Sequence, residues 1–341
     1  MKVLTKNKKN EFFIEKTIFF KNIFNYDKKK QYICRMIYLI IAIICSTMFA
    51  VLFKIFQRSG INSLSCILLN YIFGTLIMII AIMTKGNLQN LINCVSTTSI
   101  HLSTIIIYAS LPALMFLIGF VAMDQATFRC GIALTTIAAR AALVIPLMLS
   151  WLILDDNEPN WLYVILIFIA MALIMIPNSQ QTHPNKVPYQ SSSDKSRNIK
   201  SALSLISVFI VYGLADFFIN LSNVKVSELH IQPDILTMCI FMIATFFCTI
   251  YCSCKGVLKL AITYKTIIGG ILLGFANVGC TYMVINGINA LGASLFYPTY
   301  YIGIVITATI LGFCCFKEKI KLIQLCGLVL AGVAIFLIKT S

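Results

Sequence analysis

The sequence predicts an all-α integral membrane protein with ten transmembrane helices, arranged as two inverted five-helix repeats. Three observations carry that expectation. First, of 341 residues 59% are hydrophobic and 11% charged, and the mean hydropathy is +0.90. A soluble domain carries about 25% charged residues. The apolar runs are continuous rather than alternating, and lipid accepts only backbones that satisfy their own polar groups, so the runs read as helices. Second, one phrase occurs twice. Gly131 to Pro177 and Gly292 to Lys339 each hold an opening Gly, a long apolar run, a short charged elbow and a second apolar run. The elbow glutamates, Glu158 and Glu318, stand 27 and 26 positions after those glycines. Third, the most polar stretch of the body, 178–200, lies near the midpoint and is rich in Pro, Ser, Gln and Asn, as linkers are. An odd number of spans on each side of such a linker inserts the two halves with opposite topology.

In chain order, residues 1–32 form a basic tail. Its lysines (Lys2, Lys6, Lys8, Lys9, Lys16, Lys21, Lys28 to Lys30) are interleaved with Phe and Ile. It reads either as an amphipathic helix on an anionic lipid surface or as a loose cytosolic tail. It does not read as a secretory signal, because the apolar segment starts late and runs long. The first repeat, 33–177, holds spans at roughly 33–56, 63–84, 101–123, 131–154 and 159–177. The linker 178–200 follows. The second repeat, 201–341, holds spans at roughly 201–222, 234–254 and 264–287, and then the Gly292–Lys339 hairpin as spans 9 and 10. Each run is long enough to cross about 30 Å of hydrocarbon.

The formal net charge of +15 reads as flanking charge that orients helices, not as nucleic-acid binding. The basic tail places both termini in the cytoplasm. The loops then left outside are richer in Lys and Arg than those inside, which hold Lys85 and Lys225, so tail and loops disagree. The 13 cysteines scatter through apolar spans with no zinc spacing, and His101, His183 and His230 lie far apart. The sequence predicts no metal and no cofactor.

The two elbow hairpins carry a family resemblance. Phe316-Lys317-Glu318-Lys319 is followed by Gln324 and Gly327; Asp155-Asp156-Asn157 precedes Glu158, with Pro146 upstream. Phe53-Lys54, Asn70-Tyr71 and Phe296-Tyr297-Pro298 add to it. Over about residues 33–338 the chain resembles the drug/metabolite transporter superfamily, in particular its ten-helix EamA-type members. The first half departs in lacking a Gly where the second has Gly327. The resemblance implies a mid-membrane cavity between the halves and alternating access. It implies no particular substrate.

Charges inside spans are expensive and need a partner or a wet cavity. Arg140 lies about ten residues into span 4, among Ala138, Ala139, Ala141 and Ala142. Its planar fork suits a carboxylate or other anion in a cavity; a structural ion pair is the alternative. Asp216, in span 6, could pair with Arg140, carry a proton, or be solvated if it lies near the helix end. Asp124 reads as interfacial. Arg140 is 18 positions before Glu158, and Tyr300 is 18 before Glu318, so the counterpart of the guanidinium is a phenol. Counting from the glycines gives Tyr301 instead. Tyr297, Tyr300 and Tyr301 read as a cavity wall or as a packing stripe. Asn70 and Asn277 reach the cavity or bond a neighbouring helix. Pro146 and Pro298 are candidate kinks in spans 4 and 9. Gly270-xxx-Gly274 is a close-packing face.

The expected function is secondary transport of a small metabolite or drug-like amphiphile across the cytoplasmic membrane, coupled to an ion gradient. A carbohydrate or nucleotide-sugar carrier, or a non-transporting scaffold, is the alternative. No Gly-x-x-x-x-Gly-Lys-Ser/Thr motif serves ATP hydrolysis. An intramembrane enzyme needs clustered catalytic groups that the spans do not show. A homodimer is left open.

Overall fold

The computed structural model describes residues 36–48, 63–85, 99–130, 132–155, 157–174, 195–256 and 263–316, with isolated positions between 51 and 61 and between 322 and 333. The basic tail, residues 178–194 of the linker and the Lys317-Glu318-Lys319 elbow lie outside the described residues. Most of span 10 does too.

All regular structure among the described residues is helical. The helices are α1 (Met36–Met48), α2 (Ser63–Thr84), α3 (Ser99–Cys130), α4 (Ile132–Ala141) and α5 (Val144–Leu154). After them come α6 (Trp161–Ile174), α7 (Lys195–Ser227), α8 (Pro233–Cys254), α9 (Tyr264–Leu291) and α10 (Ala293–Phe316). Five of these, α2, α3, α7, α8 and α9, are long and apolar enough to cross a membrane. Their outward side chains are apolar as well: Ile80, Phe246 and Phe275 are 60–62% exposed. Apolar surface on that scale belongs against lipid, as in an integral membrane protein.

The ends have local causes. Pro233 opens α8, where its missing N–H costs nothing, and Asp234 sits in the first turn. Thr263 caps α9 by accepting from the Thr266 amide at 3.3 Å. Gly292 links α9 to α10 at φ 78°, a conformation that costs glycine little.

Helix directions follow from contacts. Cys66, Asn70 and Gly74 of α2 meet Thr266, Gly274 and Val278 of α9 in rising order, so the two run parallel. Tyr108, Gly119 and Arg129 of α3 meet Ser222, Tyr212 and Ser204 of α7 in falling order, so these run antiparallel.

Three spans differ from the sequence reading. Span 3 is longer, because Asp124, Gln125 and Arg129 continue the helix beyond its apolar part. Residues 195–200, assigned to the linker, are the first turns of α7. Lys and Arg are good helix formers, and Arg129 donates to Ser204 Oγ at 2.8 Å, tying that end of α7 to α3. Span 4 is two helices. Pro146 cannot donate to the Ala142 carbonyl, which takes the Ile145 amide at 3.0 Å instead, and the chain turns at 142–143. Gly213 of α7 fills this break: a Cβ there would stand 2.6 Å from Ile145 Cβ and 2.9 Å from the Ala142 carbonyl oxygen.

At the far end of α2, Lys85 Nζ stands 3.0 Å from Asp234 Oδ2 and 3.2 Å from the Tyr282 hydroxyl. A cation at the end of α2 and a carboxylate at the start of α8 also suit both helix dipoles. Burial pulls the Lys85 pKa down, but the hydrogen bonds to Asp234 and Tyr282 outweigh it and leave the pKa raised above the ordinary 10.5.

Two outcomes are expected. Gly213→Val should destabilise the detergent-solubilised chain by about 1–3 kcal/mol in thermal unfolding, whereas the same change at Gly256, which has open space around it, should strain only a turn. Lys85→Met should cost about 1 kcal/mol, since Lys85 is half exposed. A raised lysine pKa adds stability that is complete below pH 10.5 and lost as pH rises through the folded value. The gap between wild type and variant should therefore hold at neutral pH and close in strong alkali.

Candidate functional site

A partly open cavity of about 160 Å³ lies where α1, α3, α4, α7, α9 and α10 meet. Arg140, Asp216, Asn277, Tyr300 and Tyr301 all line it. The sequence assigned each of them to a binding site, although they come from four helices.

Arg140 is in the last turn of α4, just before the break, where carbonyls point toward the side chain's base and favour a cation. Its Cζ lies 5.9 Å from the centroid of the Tyr301 ring, a cation–π distance. Arg140 and Asp216 border one cavity without forming an ion pair; among the described residues the ion pairs are Lys85–Asp234 and Lys225–Glu228.

Asp216 is held by α10. Tyr301 donates its hydroxyl to Asp216 Oδ2, and Tyr297, one turn earlier, donates to the Asp216 main-chain carbonyl at 2.6 Å. Residues four apart share one helix face, so two phenols grip one residue of α7. Tyr300 is on the neighbouring face, stacked on Phe296 at 5.3 Å, and its hydroxyl lies 3.2 Å from Cys280 Sγ. Asn277 Nδ2 is buried and has no hydrogen-bond partner among the described residues.

Two assigned residues do not line the cavity. Tyr297 spends its hydroxyl on the α7 backbone behind it. Asn70 is fully buried at the contact of α2 with α9, where its main-chain oxygen would lie 3.2 Å from a Cβ on Gly274. Gly274 lets the helices approach so closely there that the residue is sealed between them. Pro146 does interrupt span 4, whereas Pro298 lies inside a continuous α10.

The sequence missed much of the apolar wall. Phe116, Phe120 and Met123 line the cavity from α3 at spacings of four and three. That periodicity marks one helix face but not what covers it. Tyr212, one turn before Asp216, also lines it and donates to Met123 Sδ at 2.7 Å. The spacing to Asp216 was the available signal.

No family model matches the chain. An uncharacterized protein of Haemophilus influenzae is 25% identical over 304 residues, which is 87% of this chain and 96% of that protein. A solved crystal structure, titled only as that of a protein, superposes with a TM-score of 0.63 at 9% identity, covering 90% of this chain and 96% of the other. That likeness concerns the fold alone.

Tyr301→Phe should cost about 1–3 kcal/mol in thermal unfolding, because it leaves the Asp216 carboxylate without its donor. Tyr300→Phe should cost less, since its hydroxyl faces a thiol, a weak partner.

Proposed function

We propose that the chain is a secondary transporter. It carries a small metabolite or drug-like amphiphile across the cytoplasmic membrane by alternating access, driven by an ion gradient. The observation that carries this reading is the cavity itself. It holds a guanidinium and a carboxylate, contributed by helices from both sides of the central linker, inside a bundle with an apolar exterior. Ionisable groups at such depth are costly, and they persist where solutes or ions pass.

Two further observations support ten spans in two inverted halves. With α4 and α5 taken as one span, α2 and α9 are spans 2 and 8 and run parallel, while α3 and α7 are spans 3 and 6 and run antiparallel, as strict alternation requires. Two pairs of contacts are also related by exchanging each span with the one five later, which supports the repeat. Spans 2 and 8 pack together, as do spans 7 and 3. Gly213 of span 6 packs on Ile145 of span 4, and Gly303 of span 9 packs on Ile43 of span 1. Repeats of this kind enclose mid-membrane sites.

The reading is tested by counterflow of a radiolabelled metabolite panel in proteoliposomes, with and without an imposed proton gradient. Wild-type flux should respond to the gradient. Arg140→Ala should lower flux at least about tenfold while keeping a wild-type thermal midpoint, because among the described residues Arg140 makes no ion pair whose loss would unfold the chain. Full flux in that variant would remove Arg140 from the pathway.

A further inference from the structure

The hydrogen-bonding capacity left over on the cavity wall is lopsided. Among the described residues the Arg140 guanidinium has an aromatic face beside it but no ion pair and no hydrogen bond. Asn277 Nδ2 is equally without an acceptor. A buried donor such as Asn277 Nδ2 left unmade costs about 1–3 kcal/mol, and the half-buried Arg140 guanidinium lines the same cavity. The wall's carboxylate is better supplied, because Asp216 Oδ2 already accepts the Tyr301 hydroxyl and its backbone is clamped by Tyr297. The Tyr300 hydroxyl is engaged with Cys280, and that of Tyr212 with Met123. What the two donors lack, among the described residues, is an acceptor that carries negative charge.

The rest of the wall describes the remainder of the ligand. Met115, Phe116, Phe120 and Met123 form one apolar side. The volume of about 160 Å³ is close to that of an apolar cavity of roughly 150 Å³ known to admit benzene.

We propose that the cavity binds a small monocarboxylate with a ring-sized apolar body. Its carboxylate is taken by the Arg140 fork and the Asn277 amide, and its body lies against the α3 wall. This rests on the transport reading and names the class of solute moved. An ammonium ligand would meet Arg140 as a like charge, and a neutral amide would leave the guanidinium without a counter-ion. Asp216 then acts on the ligand as a nearby negative charge rather than as a partner, which fixes the sign of its effect.

The test is equilibrium binding to the purified full chain in nanodiscs with three probes of one shape: phenylacetate, phenylacetamide and phenethylamine. Phenylacetate should bind saturably and raise the thermal midpoint, and the other two should bind at least about tenfold more weakly. Arg140→Gln should weaken phenylacetate about tenfold or more, and Asn277→Leu severalfold. Asp216→Asn keeps an acceptor for Tyr301 and removes the like charge, so it should tighten phenylacetate severalfold. Stronger binding of the amide or the amine overturns the proposal. So does weaker phenylacetate binding in Asp216→Asn, which would mean that Asp216 supports the bound anion and does not repel it. No phenylacetate binding by a folded chain also overturns it. If proteoliposome flux persists in any of these cases, the transport reading stands and only the carboxylate assignment fails.

Discussion

The grip of two tyrosines on one aspartate underlies the rest of the site. A carboxylate inside an apolar bundle is tolerable only if donors surround it. Tyr297 and Tyr301, one turn apart on α10, supply them to the backbone and side chain of Asp216. The same two bonds set the distance and rotation of α10 against α7. They also place the Tyr301 ring under the Arg140 guanidinium. The cavity is therefore a by-product of satisfying one charge: the helices cannot close further without crushing the phenols between them.

A second constraint acts on the opposite wall. α4 ends at Ala141, one residue after Arg140, because Pro146 cannot continue its hydrogen bonding, and Gly213 lets α7 press into the gap. The guanidinium thus sits at a helix end rather than mid-helix. Arg140 and Asp216 border one cavity without forming an ion pair, and Tyr301 meets both, its ring beside the guanidinium and its hydroxyl on the carboxylate.

The sequence was informative where a residue type is rare in its surroundings. A charge in an apolar run stands out, and so Arg140 and Asp216 could be read directly. The count back from Glu318 reached Tyr300, and the count from Gly292 reached Tyr301; both phenols line the cavity. It was silent where the surroundings are uniform. Phe116 and Phe120 look like any apolar residues of a span, and only the neighbouring helices decide whether they face lipid, core or cavity. Asn70 misled for a related reason. A polar residue in a span signals burial but not which surface buries it, and the closeness allowed by Gly274 decided that. The extra turns of α7 escaped because polarity was read as coil, although Lys and Arg extend helices readily.

The cluster of Lys85, Asp234 and Tyr282 has a consequence for how the bundle can move. It staples α2 to α8 and α9 at a single extremity, joining a segment before the central linker to two after it. Lys85 is half in water, but the 3.0 Å separation lies well inside the ~8 Å screening length of physiological saline and Asp234 is buried, so salt weakens the staple only modestly. Parting the helices at that extremity must separate these three groups and hydrate Asp234, whereas at the opposite extremity α3 and α7 are tied by the Arg129 hydrogen bond to the neutral Ser204 hydroxyl. The two extremities are therefore held by different chemistry, an ion pair at one and a hydrogen bond to a hydroxyl at the other.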